Sequence, residues 1–244
     1  MKRRFSLSVK VIVGLMFLLS LVLVSAVSAD DEDDGPRTYE VTIVNLTSGQ
    51  PFTPPLIATH KKGFNLFERR GYASEYIQEI AENGNLAPMI EHLTDNEYVS
   101  DFVVAVAGDP PPLMPRDMVT IEITADSEDD RISFVSMLIC TNDGFTGIPS
   151  VRLPKNVGKS RVNLVTSYDA GTEINTEDFN DLVPPCGPLT GVDSDGAGTG
   201  ASNPDLAEGK RISRHRGIVG DNDLDSAIHD WSEPTGIIVV TRTN

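Results

Sequence analysis

The sequence predicts an all-β domain with the architecture of an antiparallel β-sandwich. Apolar and polar residues alternate with a period of two in run after run, which is the pattern of a strand with one buried face. After residue 100 the strand-like runs follow one another without a helix between them. This order favours antiparallel pairing over a parallel α/β sheet, and it predicts six to eight strands.

The predicted strands extend from the start of the domain to the C-terminal residues. In the first strand, Tyr39, Val41 and Ile43 alternate with polar residues, so one face is expected to be buried. Further strand-like runs occupy 102–106, 119–124, 132–139, 161–165 and 237–241, with weaker candidates at 56–59 and 212–219. The runs account for about eight strands in total.

A short helical insertion interrupts the strands early in the chain. Ser74 is suited to cap a helix that extends to Asn83, where Gly84 is suited to end it. A second short helix is expected over 86–93. The insertion is expected to cover one end of the sandwich.

The N-terminus has the pattern of a secretory signal peptide. Four basic residues precede an apolar stretch from Val11 to Val24, and Val27-Ser28-Ala29 provides small residues for cleavage. The alternative is a retained membrane anchor, but about 14 apolar residues fall short of the roughly 20 that span a bilayer. We therefore expect a signal peptide over 1–29, an acidic disordered leader over 30–37 and the β domain over 38–244. The mature protein is expected to be secreted or held in the periplasm or cell envelope, without a membrane span.

The chain is acidic, which limits the classes of partner. Removal of residues 1–29 takes away four positive charges and no negative ones, so the formal charge moves from −16 to −20. Nucleic acid is not expected as a partner, because it requires a positive surface. Cations are favoured, although acidity also serves solubility.

The sequence contains two cysteines, Cys140 and Cys186. In an exported chain an even number favours a disulfide. Two buried thiols are the first alternative. A Cys/His zinc site is a weaker one, because no closely spaced pair of Cys or His ligands is present.

Two loops carry the acidic residues with the strongest chemical implication. Asp143 follows one predicted strand, and Asp169 and Glu173 follow another, with Gly171 between them to allow a tight turn. The two loops can meet at one end of the domain. Carboxylates are preferred ligands of Ca²⁺, so these three residues are predicted to bind calcium.

The same residues carry a resemblance to a known family. Ser136-Met137, Asp143 with an aromatic residue two positions later, and the run from Asp169 to Glu173 resemble the calcium site of the spondin N-terminal domain of F-spondin and mindin. Further matches are His60, Leu66-Phe67, Gly71, Ala73-Ser74 and Ile80-Ala81-Glu82-Asn83-Gly84, so the resemblance extends from about Thr38 to Arg242. It implies an eight-stranded, C2-like β-sandwich, a calcium ion and a role in cell or matrix adhesion.

The chain departs from the family pattern in three places. Family members commonly have Ser-Pro-Asp-Trp around the first aspartate, where this chain has Asn142-Asp143-Gly144-Phe145. They commonly end the second motif in Asp, where this chain has Glu173. The loop 184–203 is longer than its family counterpart and is a candidate for specificity. No thrombospondin repeat accompanies the domain, so the ligand of its animal relatives is not carried over.

These observations predict an exported, calcium-binding adhesion or binding module whose partner is a protein or glycan at the cell surface or in the matrix. No nucleophile elbow, zinc-protease helix motif or phosphate-binding loop is found, so an enzyme is not expected. The first alternative is a metal-assisted hydrolase of the cell envelope, in which His215 or His229 would act near the acidic loops. The second is a purely structural matrix component.

Overall fold

Strands account for most of the regular structure in the computed structural model, which describes residues 35–108, 112–192 and 196–244. The strands are β1 (Arg37–Asn45), β2 (Leu56–His60), β3 (Val99–Val104), β4 (Met118–Ala125), β5 (Arg131–Met137), β6 (Gly144–Arg152), β7 (Ser160–Asp169), β8 (Ser213–Arg214) and β9 (Gly236–Arg242). The helices are α1 (Glu75–Asn83), α2 (Ala87–Thr94), α3 (Cys186–Thr190) and α4 (Ser226–His229), and 3-10 turns lie at Phe179–Asp181 and Pro204–Leu206.

Every strand pair is antiparallel, in the order β3-β2-β5-β6-β7-β9-β1-β4, with β8 beside β7. Strand β7 belongs to both halves of the sheet, because its first part pairs with β9 and its last part pairs with β6. At the two ends of this order, the Asp101 carboxylate of β3 accepts hydrogen bonds from the backbone N–H and hydroxyl of Thr124 in β4, at 2.8 and 2.9 Å. The sheet therefore nearly closes on itself, and the prediction of an all-β antiparallel fold is confirmed.

The core follows from the alternation seen in the sequence. Tyr39, Val41 and Ile43 of β1 are fully buried, as their period of two predicts. A second apolar cluster lies where α1 and α2 cover β2, β5 and β6, and it includes Ile77 and Ile80 of α1. The helical insertion is thereby fixed over one side of the sheet, at the end where the acidic loops emerge.

Helix α1 begins and ends as its sequence predicts. The Ser74 hydroxyl accepts a hydrogen bond from Ile77 N–H at the N-terminus, and Gly84 adopts φ +64° after the last turn. The N–H of Gly84 donates to the carbonyls of Glu79 and Ile80. Helix α2 covers Ala87–Thr94, one residue later than expected.

Strand β6 is absent from the sequence prediction, because Gly147 and Pro149 interrupt its apolar pattern. A Cβ at Gly147 would lie 2.3 Å from the carbonyl oxygen of Phe134, so the close approach of β5 and β6 requires a glycine. The weak candidate 212–219 forms only the two-residue strand β8.

The disulfide prediction is confirmed, since Cys140 and Cys186 are bonded with their Cα atoms 5.1 Å apart. Cys186 lies in α3, and this part of the predicted surface loop is anchored in the core. The predicted signal peptide and residues 30–34 of the predicted leader lie outside the described residues, and β1 already begins at Arg37. In the described part of the chain, no helix has the length and apolar character needed to cross a membrane.

Candidate metal centre

Asp143 occupies the connection between β5 and β6, immediately before Gly144. Its side chain is completely buried. Strand pairing places Gly144 opposite Asp169, the last residue of β7. The two acidic loops therefore emerge side by side, because both continue neighbouring strands of one sheet.

The second loop turns sharply after Asp169. Gly171 has φ +71°, and a Cβ there would lie 2.7 Å from the carbonyl carbon of Lys210. The Asp169 Oδ1 atom accepts a hydrogen bond from Gly171 N–H at 2.8 Å, and its Oδ2 accepts one from the Asn175 amide at 3.0 Å. The glycine and the aspartate together set the curl that brings Glu173 back over the end of the sheet.

The Asp143 carboxylate joins the two loops. Its Oδ2 accepts hydrogen bonds from the backbone N–H groups of Thr172 and Glu173 at 2.8 and 3.1 Å. Its Oδ1 is buried and has no hydrogen-bond partner among the described residues. One oxygen of Asp143 therefore organises the second loop, and the other is left as an unused acceptor.

Residues of the long loop 184–203 close over Glu173. The Glu173 side chain is 4 % exposed, and its Oε1 accepts a hydrogen bond from Asn203 N–H at 2.8 Å. The neighbouring Ser202 hydroxyl accepts one from the Asn83 amide at 3.1 Å. Adjacent loop residues thus tie Glu173 to the C-terminal end of α1.

Glu82, in the last turn of α1, is a candidate ligand that sequence reasoning missed. It is 4 % exposed, and neither of its carboxylate oxygens has a hydrogen-bond partner in the described part of the chain. The Oδ1 atom of Asn83 is also buried and unpartnered. A signal was present in the sequence, because an acidic residue in the last turn of a helix opposes the helix dipole.

The buried carboxyls repel one another. Burial raises the pKa of Asp143 to about 7, and the charge of nearby Asp169 adds to this effect, against the hydrogen bonds from the second loop. Burial also raises the pKa of Glu173 to about 7, with further contributions from Glu82 and Asp143. Ionisation of these carboxyl groups therefore destabilises the folded protein, and a bound cation would offset that destabilisation.

Hydrogen bonds and the disulfide hold the loop that carries Asp143 in place. The Gln50 side chain accepts a hydrogen bond from Cys140 N–H at 3.1 Å and donates to the Cys140 carbonyl at 3.3 Å. The disulfide to Cys186 holds the same point from the other side. Asn142 donates its amide to the Thr176 hydroxyl and accepts from Thr176 N–H, each at 3.0 Å. The loop that carries Asp143 is thus fixed by covalent and polar contacts.

The two histidines of the hydrolase alternative differ in their partners: both ring nitrogens of His229 have hydrogen-bond partners, whereas the buried Nε2 of His215 has none among the described residues. His229 is fully buried, and its Nδ1 lies 3.0 Å from both the backbone nitrogen and the carbonyl oxygen of Asp225. The Nδ1 of His215 accepts a hydrogen bond from Gly217 N–H at 3.1 Å, and its ring lies 5.0 Å from that of Trp231. Burial lowers the pKa of both rings.

The donor set fits a hard cation such as Ca²⁺. Around the two acidic loops and the end of α1, both carboxylate oxygens of Glu82, Oδ1 of Asp143 and Oδ1 of Asn83 are buried and unpartnered among the described residues. Buried acceptors without donors are costly in a folded protein. Carboxylate and amide oxygens are the ligands that calcium prefers. A bound cation would therefore pair with the acceptor oxygens that receive no hydrogen bond from the described residues.

A search of curated proteins returned no match to this chain. A family profile described as Spondin_N, by contrast, matches residues 39–179, from Tyr39 in β1 to Phe179. The match ends before the limit near Arg242 expected from the sequence, but it covers more than half of the chain and includes the acidic cluster. Domains of this family are extracellular and non-enzymatic. The chain therefore belongs to the Spondin_N family, that of the spondin N-terminal domain.

Proposed function

We propose that this protein is an exported, calcium-binding β domain that acts as an adhesion or binding module outside the cell or in the cell envelope. The observation that carries the proposal is the buried set of oxygen acceptors without donors at one end of the sheet. Membership of an extracellular, adhesion-type family supports the location and the class of activity.

Asp143, Asp169 and Glu173 would hold the ion, with Glu82 as a fourth carboxylate. A bound cation supplies positive charge, which cancels the repulsion between these groups. The protein's own contribution is positional. Asp143 already holds the second loop through two backbone N–H groups, and Glu173 holds Asn203 of the long loop. The ion would therefore stabilise a surface formed by both loops and the end of α1.

Calcium titration of the purified mature protein, followed by calorimetry and by thermal melting, tests the metal site. The variant Glu82→Gln keeps the size of the side chain and removes its charge, so it should bind calcium at least tenfold more weakly. Glu75→Gln is the matched control, because Glu75 is exposed in the first turn of the same helix. It should bind like the wild type. A wild type that neither binds calcium nor melts at a higher temperature with it would contradict the site.

Adhesion is tested separately, by measuring retention of cells and of matrix preparations on immobilised protein in calcium and in chelator. Retention that depends on calcium and falls in the Glu82→Gln variant is the expected result. Calcium-dependent melting without retention on any surface would replace the binding module with a structural component. Chelator-sensitive turnover of an ester, phosphate or glycoside would replace it with a hydrolase.

A further inference from the structure

In the part of the chain that the structure describes, positive charge is concentrated next to the end of β7. The residues that carry it are Arg69, Arg70, Arg211, Arg214 and Arg216, a quarter of the 20 lysines and arginines in the whole sequence. All five are exposed. A local excess of arginine on a chain with a formal charge of −16 requires an explanation other than general composition.

The backbone builds three of these arginines, Arg69, Arg70 and Arg214, into a cleft. Arg70 N–H donates to the Ile212 carbonyl at 3.1 Å, and Ile212 N–H donates to the Gly71 carbonyl at 2.8 Å. Strand pairing places Arg214 of β8 opposite Tyr168 of β7. Arg70 adopts φ +67°, an uncommon conformation for a residue other than glycine. The segments before Gly71 and after Lys210 therefore lie side by side in a defined geometry.

The cleft between them has a volume of about 410 Å³. It is lined by Arg69, Arg70, Tyr168, Ile212, Ser213 and Arg214. Tyr168 and Ile212 are buried and form an apolar floor. Arg214 lies opposite Tyr168 in the strand pairing, so its guanidinium and that of Arg69 line the cleft beside the same tyrosine.

The positive charge of the cleft is not neutralised by the protein. Within the part of the chain that the structure describes, none of the five arginines has a carboxylate within ion-pair distance. Three acidic residues of the neighbouring segments have other partners: Asp169 accepts from Gly171 and Asn175, Glu233 accepts from Ser167, and Glu208 pairs with Lys210. Arg211 is engaged, since its guanidinium donates to the Arg70 carbonyl at 3.1 Å and lies 4.4 Å from the centroid of the Tyr72 ring. The cleft therefore offers the guanidinium groups of Arg69, Arg70 and Arg214 to a ligand.

We propose that this arginine cleft binds the acidic terminal sugar of a glycan, carrying a carboxylate or a sulfate. Guanidinium groups bind these oxyanions with two parallel hydrogen bonds. The apolar floor and the Ser213 hydroxyl suit the faces and hydroxyls of a sugar ring, and the volume suits one or two rings. A ligand with its charge concentrated in one unit fits better than a polymer charged along its length, because the rest of the protein surface is acidic.

Binding to three immobilised trisaccharide or disaccharide probes tests the inference: 3′-sialyllactose for the carboxylate, lactose 3′-sulfate for the sulfate, and lactose as the neutral control. The wild type should bind one or both acidic probes and not lactose, and binding should weaken as salt is added. The preferred acidic probe identifies the anion. All measurements are made in calcium, and a calcium melting curve of each variant reports the metal site independently.

The double variant Arg69→Ala/Arg214→Ala should bind the acidic probe at least tenfold more weakly, since a hydrogen bond to a charged group is lost at each position. Lys159→Ala/Arg161→Ala is the matched control, because it removes the same charge from exposed positions at the other end of β7. It should bind like the wild type. Failure of the wild type to bind either acidic probe, or equal losses in the two double variants, would overturn the inference. Equal, arginine-dependent binding of a polyglutamate peptide or a single-stranded oligonucleotide would overturn the assignment to a sugar.

Discussion

Replacing Asp143 with asparagine separates the structural role of this side chain from its charge. The oxygen of asparagine can still accept the backbone hydrogen bonds from Thr172 and Glu173. The amide NH₂ takes the place of the Oδ1 atom that lacks a partner. Asp143→Asn should therefore preserve the fold while removing one negative charge from the cluster.

The expected magnitude follows from the pKa. Folding raises the pKa of Asp143 from 3.8 to about 7, because burial and Asp169 both disfavour the charged form. The unfolded chain releases this proton at lower pH than the folded chain, so stability falls as the pH rises between those two values. At about 1.4 kcal/mol per pH unit, ionised Asp143 costs the folded state roughly 4 kcal/mol at pH 8 in the absence of metal.

In chelator at pH 8 we therefore expect Asp143→Asn to be more stable than the wild type, by up to about 4 kcal/mol, or roughly 10 °C in melting temperature for a domain of this size. The pH dependence between 5 and 8 should be shallower in the variant. Calcium at one hundred times its dissociation constant should stabilise the wild type by about 2.7 kcal/mol and the variant much less.

Thermal and urea denaturation, each at pH 5 and pH 8 with chelator or calcium, measure these differences. Asp205→Asn is a suitable control, because Asp205 is exposed in the 3-10 turn that follows the long loop. It should leave both the pH dependence and the calcium effect unchanged. An Asp143→Asn variant that is less stable than the wild type in chelator at pH 8, or that keeps the full calcium effect, would refute the reasoning.

Two further predictions concern the covalent and backbone framework. The double variant Cys140→Ser/Cys186→Ser should lose about 4 kcal/mol of unfolding free energy, as expected for a bond that joins residues 46 apart. Urea denaturation measures this loss. Alkylation of both cysteines in the native protein before reduction would contradict the bond. Gly171→Ala should cost about 1–3 kcal/mol and weaken calcium binding, because φ is +71° and the new Cβ would meet Lys210. Gly158→Ala is the control, because Gly158 has φ +73° but open space around it. This variant should lose about 1 kcal/mol of stability without a change in calcium binding. Equal effects of the Gly171 and Gly158 variants would contradict the role of the close contact with Lys210.

The general fold and the meeting of the two acidic loops could be predicted from the sequence, because both depend on local patterns. The alternation in β1 defines a buried face, and Gly171 marks the turn that follows β7. Loops that continue neighbouring strands must emerge together, and the pairing of Gly144 with Asp169 does this. The disulfide followed from the number of cysteines and the predicted export.

The parts that could not be predicted depend on tertiary contacts. Gly147 weakens the strand signal of β6, yet the short distance to the Phe134 carbonyl requires it. The position of Glu82 in the last turn of α1 is unusual for an acid, but its burial depends on the packing of α1 over the sheet, which no local pattern shows. The approach of Asn203 to Glu173 brings together residues 30 positions apart through a loop without a repetitive pattern.

The contact between Asp101 and Thr124 affects how this domain can meet other molecules. An exposed strand edge normally offers a row of free backbone groups to which a partner chain can add a strand. Here β3 and β4, the first and last strands of the sheet order, lie next to each other. The Asp101 carboxylate accepts the hydrogen bond from Thr124 N–H, so that group is not free to pair with an added strand. Strand addition at this edge, and the aggregation that follows from it, are thereby disfavoured. At this edge, recognition is left to side chains, so a ligand there is selected by its chemistry and not by its backbone.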